Sequence, residues 1–401
     1  MAAPATANLG YPTMDLPLNF AVVGCGMLAR SQHIPNLAAS ARAVLYTCCD
    51  VDQGALEACR RQYPSTRLIT DFRQAIADPR VHAVVLTTTE ALRLPAIEAC
   101  AAAGKPVYVE KPLAGTLEEL GQIEAVVGRA GVPVCVGHNR RSSPAMLEAH
   151  RIFRTHMAAP APCPWRFDRE GPDARPPLAD DGAPCMTVRI NDDWYSWKGW
   201  VFDPEQARHG PMLFEMTHFT DLCNWFMGAP PLEVAALEGG LLNHGVVIRY
   251  QGGGIATITM AGNGTFGYPK ELYEICGGGG LVAVDHMLEV RTAGIEGAPA
   301  RVTYPLVGDR HPQVGAEGGL YGWLAKKRQA CREAAAAGDP QLIFTAEPDK
   351  GHARALERFI DQIIGTGPEV CGVVDAALAT RVAFAAIRSA AAGQAVALAE
   401  V

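Results

Sequence analysis

No Cys-x-x-Cys pair occurs in this sequence: its twelve cysteines are scattered, and only Cys48 and Cys49 are adjacent. That spacing supports neither a metal site nor a disulfide framework, so the thiols are expected to be reduced. Cys48, Cys49, Cys100 and Cys135 lie in or beside apolar runs, where free cysteine serves as a small core residue. Basic charge is also in short supply, since 35 Lys and Arg against 42 Asp and Glu leave a formal net charge of -7. Proteins that grip a phosphate backbone carry a basic face, so nucleic acid is not an expected partner. Uninterrupted apolar runs are missing too. The most apolar late stretch, VVDAALATRVAFAAIRSAAAG, is broken by Arg381 and Arg388, which predicts a packed amphipathic helix and no membrane span. The opening MAAPATANLGYPTMDLPL lacks the charged n-region and apolar h-region of a secretion signal, so the cytoplasm is the expected setting. There is no internal repeat, and low complexity is confined to a Pro-rich stretch and the Ala334–Ala337 run.

What is present is a chain of 401 residues, longer than a single core usually serves, with 49% hydrophobic residues to fill two. From Asn19 to about Asn139 the runs FAVVG, AVLYTCCD, AVVLTTT, PVYVE and PVCVG alternate with helical segments such as ALEACRRQY, PAIEACAAAG and LEELGQIEAVVGRAG. That rhythm predicts right-handed βαβ units and a parallel sheet. After a helical SPAMLEAHRIF and the Pro-rich stretch, LEVAALEG, GVVIRYQ, GIATITMAG, ELYEICG and LVAVDHMLEVR alternate like antiparallel strands. The expected fold class is therefore α/β: an N-terminal arm (1–17), a doubly wound Rossmann-type domain (18–139), and a second α/β domain (140–401) with a large open, mostly antiparallel sheet and a Pro-rich insert at 158–184.

Within the first domain, FAVVGCGMLA places Gly24 and Gly26 between an apolar strand and a helix. Gly24 would permit the tight turn, and Gly26 a close approach of backbone to a pyrophosphate, with Met27 and Leu28 opening the helix whose N–H groups favour anions. Ala29 replaces the third glycine of this fingerprint, and an ordinary strand-to-helix turn is the plain alternative. Asp50 closes the second strand 24 residues after Gly26, where an acid accepts from a ribose 2′-OH and repels a 2′-phosphate, so NAD is favoured over NADP. Asp52 competes for that role, and a solvated loop acid is the bland reading. The buried strand PVYVE delivers Glu110, Lys111 and Pro112 at the carboxyl edge, the edge at which open α/β sheets bind ligands.

With these motifs the chain resembles the Gfo/Idh/MocA family, named for glucose-fructose oxidoreductase, inositol dehydrogenase and a rhizopine-catabolism protein. The resemblance runs nearly full length: GCGMLA, EKPLAG, GHNRRSSP, GPMLFEMTHFTDLCNWFMG and the terminal helix ending in SAAAG. It implies a nicotinamide dinucleotide held by the first domain through the glycine turn, Glu110 and Lys111, with the active site between the two domains. It also implies a homo-oligomer, dimer or tetramer, supported by the open sheet. The family lysine contacts both the substrate hydroxyl and the cofactor, a role that falls on Lys111, and an ammonium beside a nicotinium ring has a lowered pKa suited to proton transfer. The competing reading is a solvated surface lysine.

Around Phe214 to Phe226, Glu215, His218, Leu222 and Trp225 share one helical stripe. The usual family pattern is Asp-x-x-x-His-x-x-Asp; here Glu215, His218 and Asp221 give Glu-x-x-His-Phe-x-Asp, found in a subset, so the acid stands one residue closer. His218 is either a general base or a core histidine bonded to Asp221. A dinuclear metal site would need further carboxylates that the chain does not supply. Arg140 and Arg141 face either a substrate carboxylate or phosphate or form an interdomain salt-bridge pair, and Asn139 before them is a further candidate substrate contact. Trp194, Tyr195, Trp197 and Trp200 either stack on a sugar ring or fill a core. Where relatives often carry Pro-Asn and a histidine after the fourth strand, this chain reads TTTEALR, leaving Thr87, Thr88 and Thr89 to line the nicotinamide. The expected activity is NAD-dependent oxidation of a secondary alcohol in a sugar, amino sugar or inositol-like small molecule. The alternatives are redox-assisted glycoside cleavage and a non-catalytic dinucleotide-binding regulator.

Overall fold

The computed structural model describes residues 15–158, 182–192, 209–239, 243–265, 267–307, 313–338, 347–368 and 370–401. Its first strands are β1 (Leu18–Val23), β2 (Ala43–Cys49), β3 (Arg67–Ile69), β4 (Ala83–Leu86), β5 (Val107–Val109) and β6 (Val134–Val136). Between them run α1 (Ile34–Ala39), α2 (Gln53–Gln62), α3 (Phe72–Ala77), α4 (Glu90–Ala102) and α5 (Leu117–Ala130). Then follow α6 (Pro144–Ala158), β7 (Cys185–Asn191), α7 (Pro211–Phe214), α8 (Met216–Met227), β8 (Pro231–Glu238), β9 (Asn243–Tyr250) and β10 (Ile255–Ala261). The chain continues through β11 (Glu271–Gly277), β12 (Gly280–Asp285), β13 (Glu289–Ala293), β14 (Arg301–Thr303), β15 (Leu306–Val307) and α9 (Gln313–Ala337). It closes with β16 (Glu347–Pro348), α10 (His352–Ile363), α11 (Val373–Ala392) and β17 (Val396–Ala397).

Two compact units result. The first gathers residues up to Ser142 together with Leu213–Asp221 and Gly351–Arg381; the second holds Ser143–Met212, Leu222–Lys350 and Val382–Val401. In the first, six parallel strands run in the order β3-β2-β1-β4-β5-β6, the doubly wound Rossmann order. Helices cover both faces, so β4, β5 and β6 are buried along their whole length and read as plain apolar runs. One face packs Val23, Val84, Val109, Ala96 and Ile123 with Cys371, Val373 and Ala376 from the late segment. The other packs Phe20, Val22, Leu56 and Tyr108 with Leu356, Phe359 and Ile360. Local signals fix the ends of the helices. Asp52 caps α2 by accepting from Gly54 N at 2.8 Å. Thr116 caps α5 by accepting from Glu119 N, Glu119 reaches back to Gly115 N, and Gly131 ends the helix at φ 64°.

Strand β3 was not among the apolar runs read from the sequence. It is three residues long at the sheet edge with only Ile69 buried, so no alternation or run marks it. The segments at 213–221 and 351–381 join the first unit from far along the chain, and no linear texture announces them.

The second unit carries a nine-stranded sheet, β14-β13-β12-β11-β7-β10-β9-β8-β17, in which β7 and β10 are the parallel pair and the other described pairings are antiparallel. Burial alternates strictly along β9, as a sheet with one covered face requires. The run LVAVDHMLEVR is two strands and not one: His286 (φ 50°) and Met287 (φ 56°) turn the chain between β12 and β13. Most of the Pro-rich insert, and Trp194, Tyr195, Trp197 and Trp200, lie outside the described residues. Among the described residues, no helix is long and apolar enough to cross a membrane.

Candidate active site

At the carboxyl edge of β1, Gly24 adopts φ +91°, and a Cβ there would sit 2.7 Å from the carbonyl oxygen of Thr87. Gly24 is therefore imposed by the neighbouring strand end. Gly26 is different, because a Cβ built on it meets nothing within 4 Å. Met27 and Leu28 are exposed beside it, and the chain enters a π-helical turn, Ala29–His33, that leads into α1. Asp50, directly after β2, accepts from Cys25 N at 2.6 Å and from Asp52 N at 2.9 Å, which ties the acid to the glycine turn. Asp52 is occupied in capping α2, so Asp50 is the better placed of the two acids.

Next along the edge, Thr87 donates from Oγ1 to Gly24 O at 2.5 Å and from N to Val23 O at 2.9 Å. Thr88 O accepts from the buried Arg93 at 3.3 Å, and exposed Thr89 is the N-cap residue of α4. Glu110 is buried, with Oε1 2.8 Å from His33 Nε2 and Oε2 accepting from Lys111 N at 3.2 Å. Burial pushes the Glu110 carboxyl up, but the His33 hydrogen bond and charge, aided by Lys111, outweigh it and hold the group at about 2. Gly137 makes room for this carboxylate, since a Cβ there would lie 2.7 Å from Oε1. Both Glu110 oxygens have partners inside the unit, His33 and the Lys111 backbone.

The Lys111 ammonium donates to Phe214 O at 2.6 Å, lies 3.4 Å from Glu215 Oε2 and stands 5.4 Å from the centre of the Phe214 ring. Glu215 is not inside one continuous helix, as the stripe at 214–226 predicts, but in the break between α7 and α8. The break matters because it brings the carboxylate to Lys111 and to Arg140 Nη2, 3.6 Å away, while Glu215 O still receives His218 N at 3.1 Å. His218 is buried, its ring edge-on to His138 with centroids 5.8 Å apart. Burial pulls the His138 imidazole below its ordinary value; Asp221 opposes that and Arg141 adds to it. Arg140 follows Asn139 in a buried 3-10 turn and lies over the Phe219 ring at 5.3 Å.

Arg141, expected to face a substrate anion or to form a salt bridge, stands in ion pairs. Its Nε and Nη2 donate to the two oxygens of Asp221, each at 2.8 Å, and Nη1 to Asp375 at 2.8 Å. Burial disfavours the guanidinium charge, and Asp221, with Cys371 and Asp375, more than restores it. Arg141, Asp221, Cys371 and Asp375 all belong to the first unit. Two site neighbours were missed in the sequence, His33 and His138. His138 stands inside the GHNRRSSP segment and is legible only as part of it, whereas His33 carries no local signal.

Residues 18–138 match the family described as "Oxidoreductase family, NAD-binding Rossmann fold", the Gfo/Idh/MocA group. The first domain is thus similar to the NAD-binding domain of the Gfo/Idh/MocA oxidoreductases. Among the chain's relatives is an uncharacterized oxidoreductase, YrbE of Bacillus subtilis, 22% identical over 288 residues, 68% of this chain and 76% of that one. Inositol 2-dehydrogenase 2 of Saccharopolyspora erythraea is 34% identical over 140 residues, 34% of this chain and 41% of that enzyme. The alignment thus spans less than half of the latter's length. A crystal structure of the WlbA dehydrogenase from Bordetella pertussis, in complex with NADH and UDP-GlcNAcA, shares the fold with a TM-score of 0.71 at 19% identity. That likeness covers 96% of this chain and 99% of the other.

Proposed function

We propose that this protein is an NAD-linked dehydrogenase acting on a secondary alcohol of a sugar, amino sugar or inositol-like molecule. The observation that carries the reading is the Lys111 ammonium at the end of β5, 3.4 Å from the Glu215 carboxylate, on the same sheet edge as the glycine turn. The names of the relatives, an inositol dehydrogenase and a dehydrogenase with NADH and a nucleotide sugar, support the substrate class.

The residues present fit a dinucleotide. Gly26 leaves open space where a pyrophosphate needs the backbone, and Asp50 stands where a ribose diol is received. Gly24, Gly26, Met27, Leu28, Asp50 and the Thr87–Thr89 strand end would hold it, and the Asp50 carboxylate favours NAD over NADP. When bound, NAD supplies the two-electron acceptor for the carbinol carbon. Lys111 then holds and polarises the substrate hydroxyl, Glu215 and Arg140 fix the position of that ammonium, and His218 takes the hydroxyl proton. Asn139 stands beside Arg140 as a further polar contact for substrate. The exposed apolar side chains of β8, β9 and β10, Leu232, Leu237, Val247 and Ile255, support a homo-oligomer. Eleven free cysteines among the described residues suit a cytoplasmic setting.

The test is a fluorescence titration of the purified chain with NADH and NADPH, followed by a screen of sugars and cyclitols for NADH formation. Binding of NADH in preference to NADPH, with net NADH formed on a polyol, is the expected result. Absence of NADH binding would overturn the reading, and turnover without net NADH would point instead to redox-assisted cleavage.

A further inference from the structure

Three thiols meet in the core beneath the glycine turn. Cys25 comes from the turn itself, Cys48 from β2 and Cys59 from α2, and their sulfur atoms all lie within 4.8 Å of one another. All three are buried, in one apolar cluster with Ala29, Leu37 and Leu56. Cysteines filling a core need not converge; a set drawn from three elements onto one point presents the donor set of a three-coordinate sulfur site. Three sulfurs each about 2.3 Å from a common centre are at most about 4 Å apart, so the cluster needs only a small contraction to close on one atom.

We infer that Cys25, Cys48 and Cys59 form a trithiol capture site for a soft three-coordinate centre, and that the ligand class is trivalent arsenic. Charge decides between this and zinc. A divalent ion held by three thiolates leaves a net negative charge in an apolar core, beside the Asp50 carboxylate that already accepts from Cys25 N, and such a charge is costly to bury. Arsenous acid condenses with three neutral thiols: three S–H protons leave with three arsenic-bound hydroxides as water, three As–S bonds form, and no electrons are transferred. The product is neutral. No fourth ligand belongs to the group among the described residues, which matches a centre that takes three.

The experiment uses the full chain with Cys163 and the exposed Cys185, Cys276 and Cys331 replaced by serine, so that no thiol pair among these four can compete. After prolonged incubation with sodium arsenite, which the burial of the site requires, and gel filtration, elemental analysis should find one arsenic per chain. Cys48→Ala and Cys59→Ala should each lose it, and two variants guard against one failing to fold. Arsenite should raise the melting temperature of the parent, because the assembled site exists only in the folded chain. The affinity should stay flat between about pH 6 and 7.5, where a thiolate site for zinc would strengthen steeply as protons are released. No retained arsenic, equal retention by both alanine variants, a lowered melting temperature, or stoichiometric zinc held in preference would each overturn the proposal. Since Cys25 lies between Gly24 and Gly26, a loaded site should also weaken NADH binding. That clause rests on the function proposed above, whereas the arsenic stoichiometry is read without any cofactor.

Discussion

Lys111 and Arg141 are both cations facing carboxylates, yet their surroundings assign them different work. Lys111 reaches Glu215 at 3.4 Å from a partly buried position, its side chain 13% exposed against 3% for Glu215, and its ammonium can exchange that contact for a substrate oxygen. Lys111→Ala should lower the turnover rate by about 10²- to 10⁴-fold with the fold intact, checked by steady-state kinetics beside circular dichroism. Arg141 is locked by two carboxylates, and Asp221 beneath it is 1% exposed. Arg141→Ala should therefore cost about 3–5 kcal/mol of stability by leaving a buried charge unpaired, read as a shift of the urea midpoint. Arg141→Lys should recover little, because an ammonium cannot span both Asp221 oxygens. Of the site residues, Lys111, His218 and Asp50 were legible in the sequence because each ends a strand or repeats at helical spacing. The commitments of Glu110 and Arg141 were not, since both are set by partners more than 75 residues away in the chain.

The glycine turn separates two kinds of glycine that a sequence pattern treats alike. Gly24→Ala drives a methyl against the Thr87 carbonyl in a positive-φ conformation and should destabilise the whole first unit, seen as a lower melting temperature. Gly26→Ala meets open space and should leave that temperature nearly unchanged while weakening NADH binding, because the methyl occupies the approach of the pyrophosphate. Loss of both properties at Gly26 would show that the turn is structural only. The β12–β13 turn offers a different test. Burial, reinforced by Lys350 and by the further lysines Lys327 and Lys270, pulls His286 down to about 3 from an ordinary 6.5, against the opposing charge of Glu271. The unfolded chain gains a proton near pH 6.5 that the folded chain refuses until about 3, so this contribution to stability is complete above pH 6.5 and fades as the pH falls between those values. His286→Asn keeps a side chain that tolerates φ 50° and removes the titration. The fall in urea midpoint from about pH 7 to pH 5 should be smaller in the variant.

At the scale of the whole chain, the alternation of strands and helices made the parallel sheet readable, and strict alternation of burial made the second sheet readable. Hydrophobic period carries no information about which distant segment completes a core, and here the completion is large. Phe359 packs edge-on against Phe20 at 6.5 Å and against Tyr108 at 5.9 Å, and Arg42 pairs with Glu357 and Asp361. A fragment of residues 15–142 should lack cooperative unfolding and should bind a hydrophobic dye. Restoring residues 351–381 by fusion should recover a sharp thermal transition.

That dependence has a cost in time for a chain leaving the ribosome. The interval from residue 142 to residue 381, at about 5–20 residues per second, lasts roughly 10 to 50 s, during which both faces of the early sheet lack the late helices that complete their packing. The nascent sheet must wait through that delay for its last helices, which makes the period of synthesis the stage at which chaperones would find this protein most exposed.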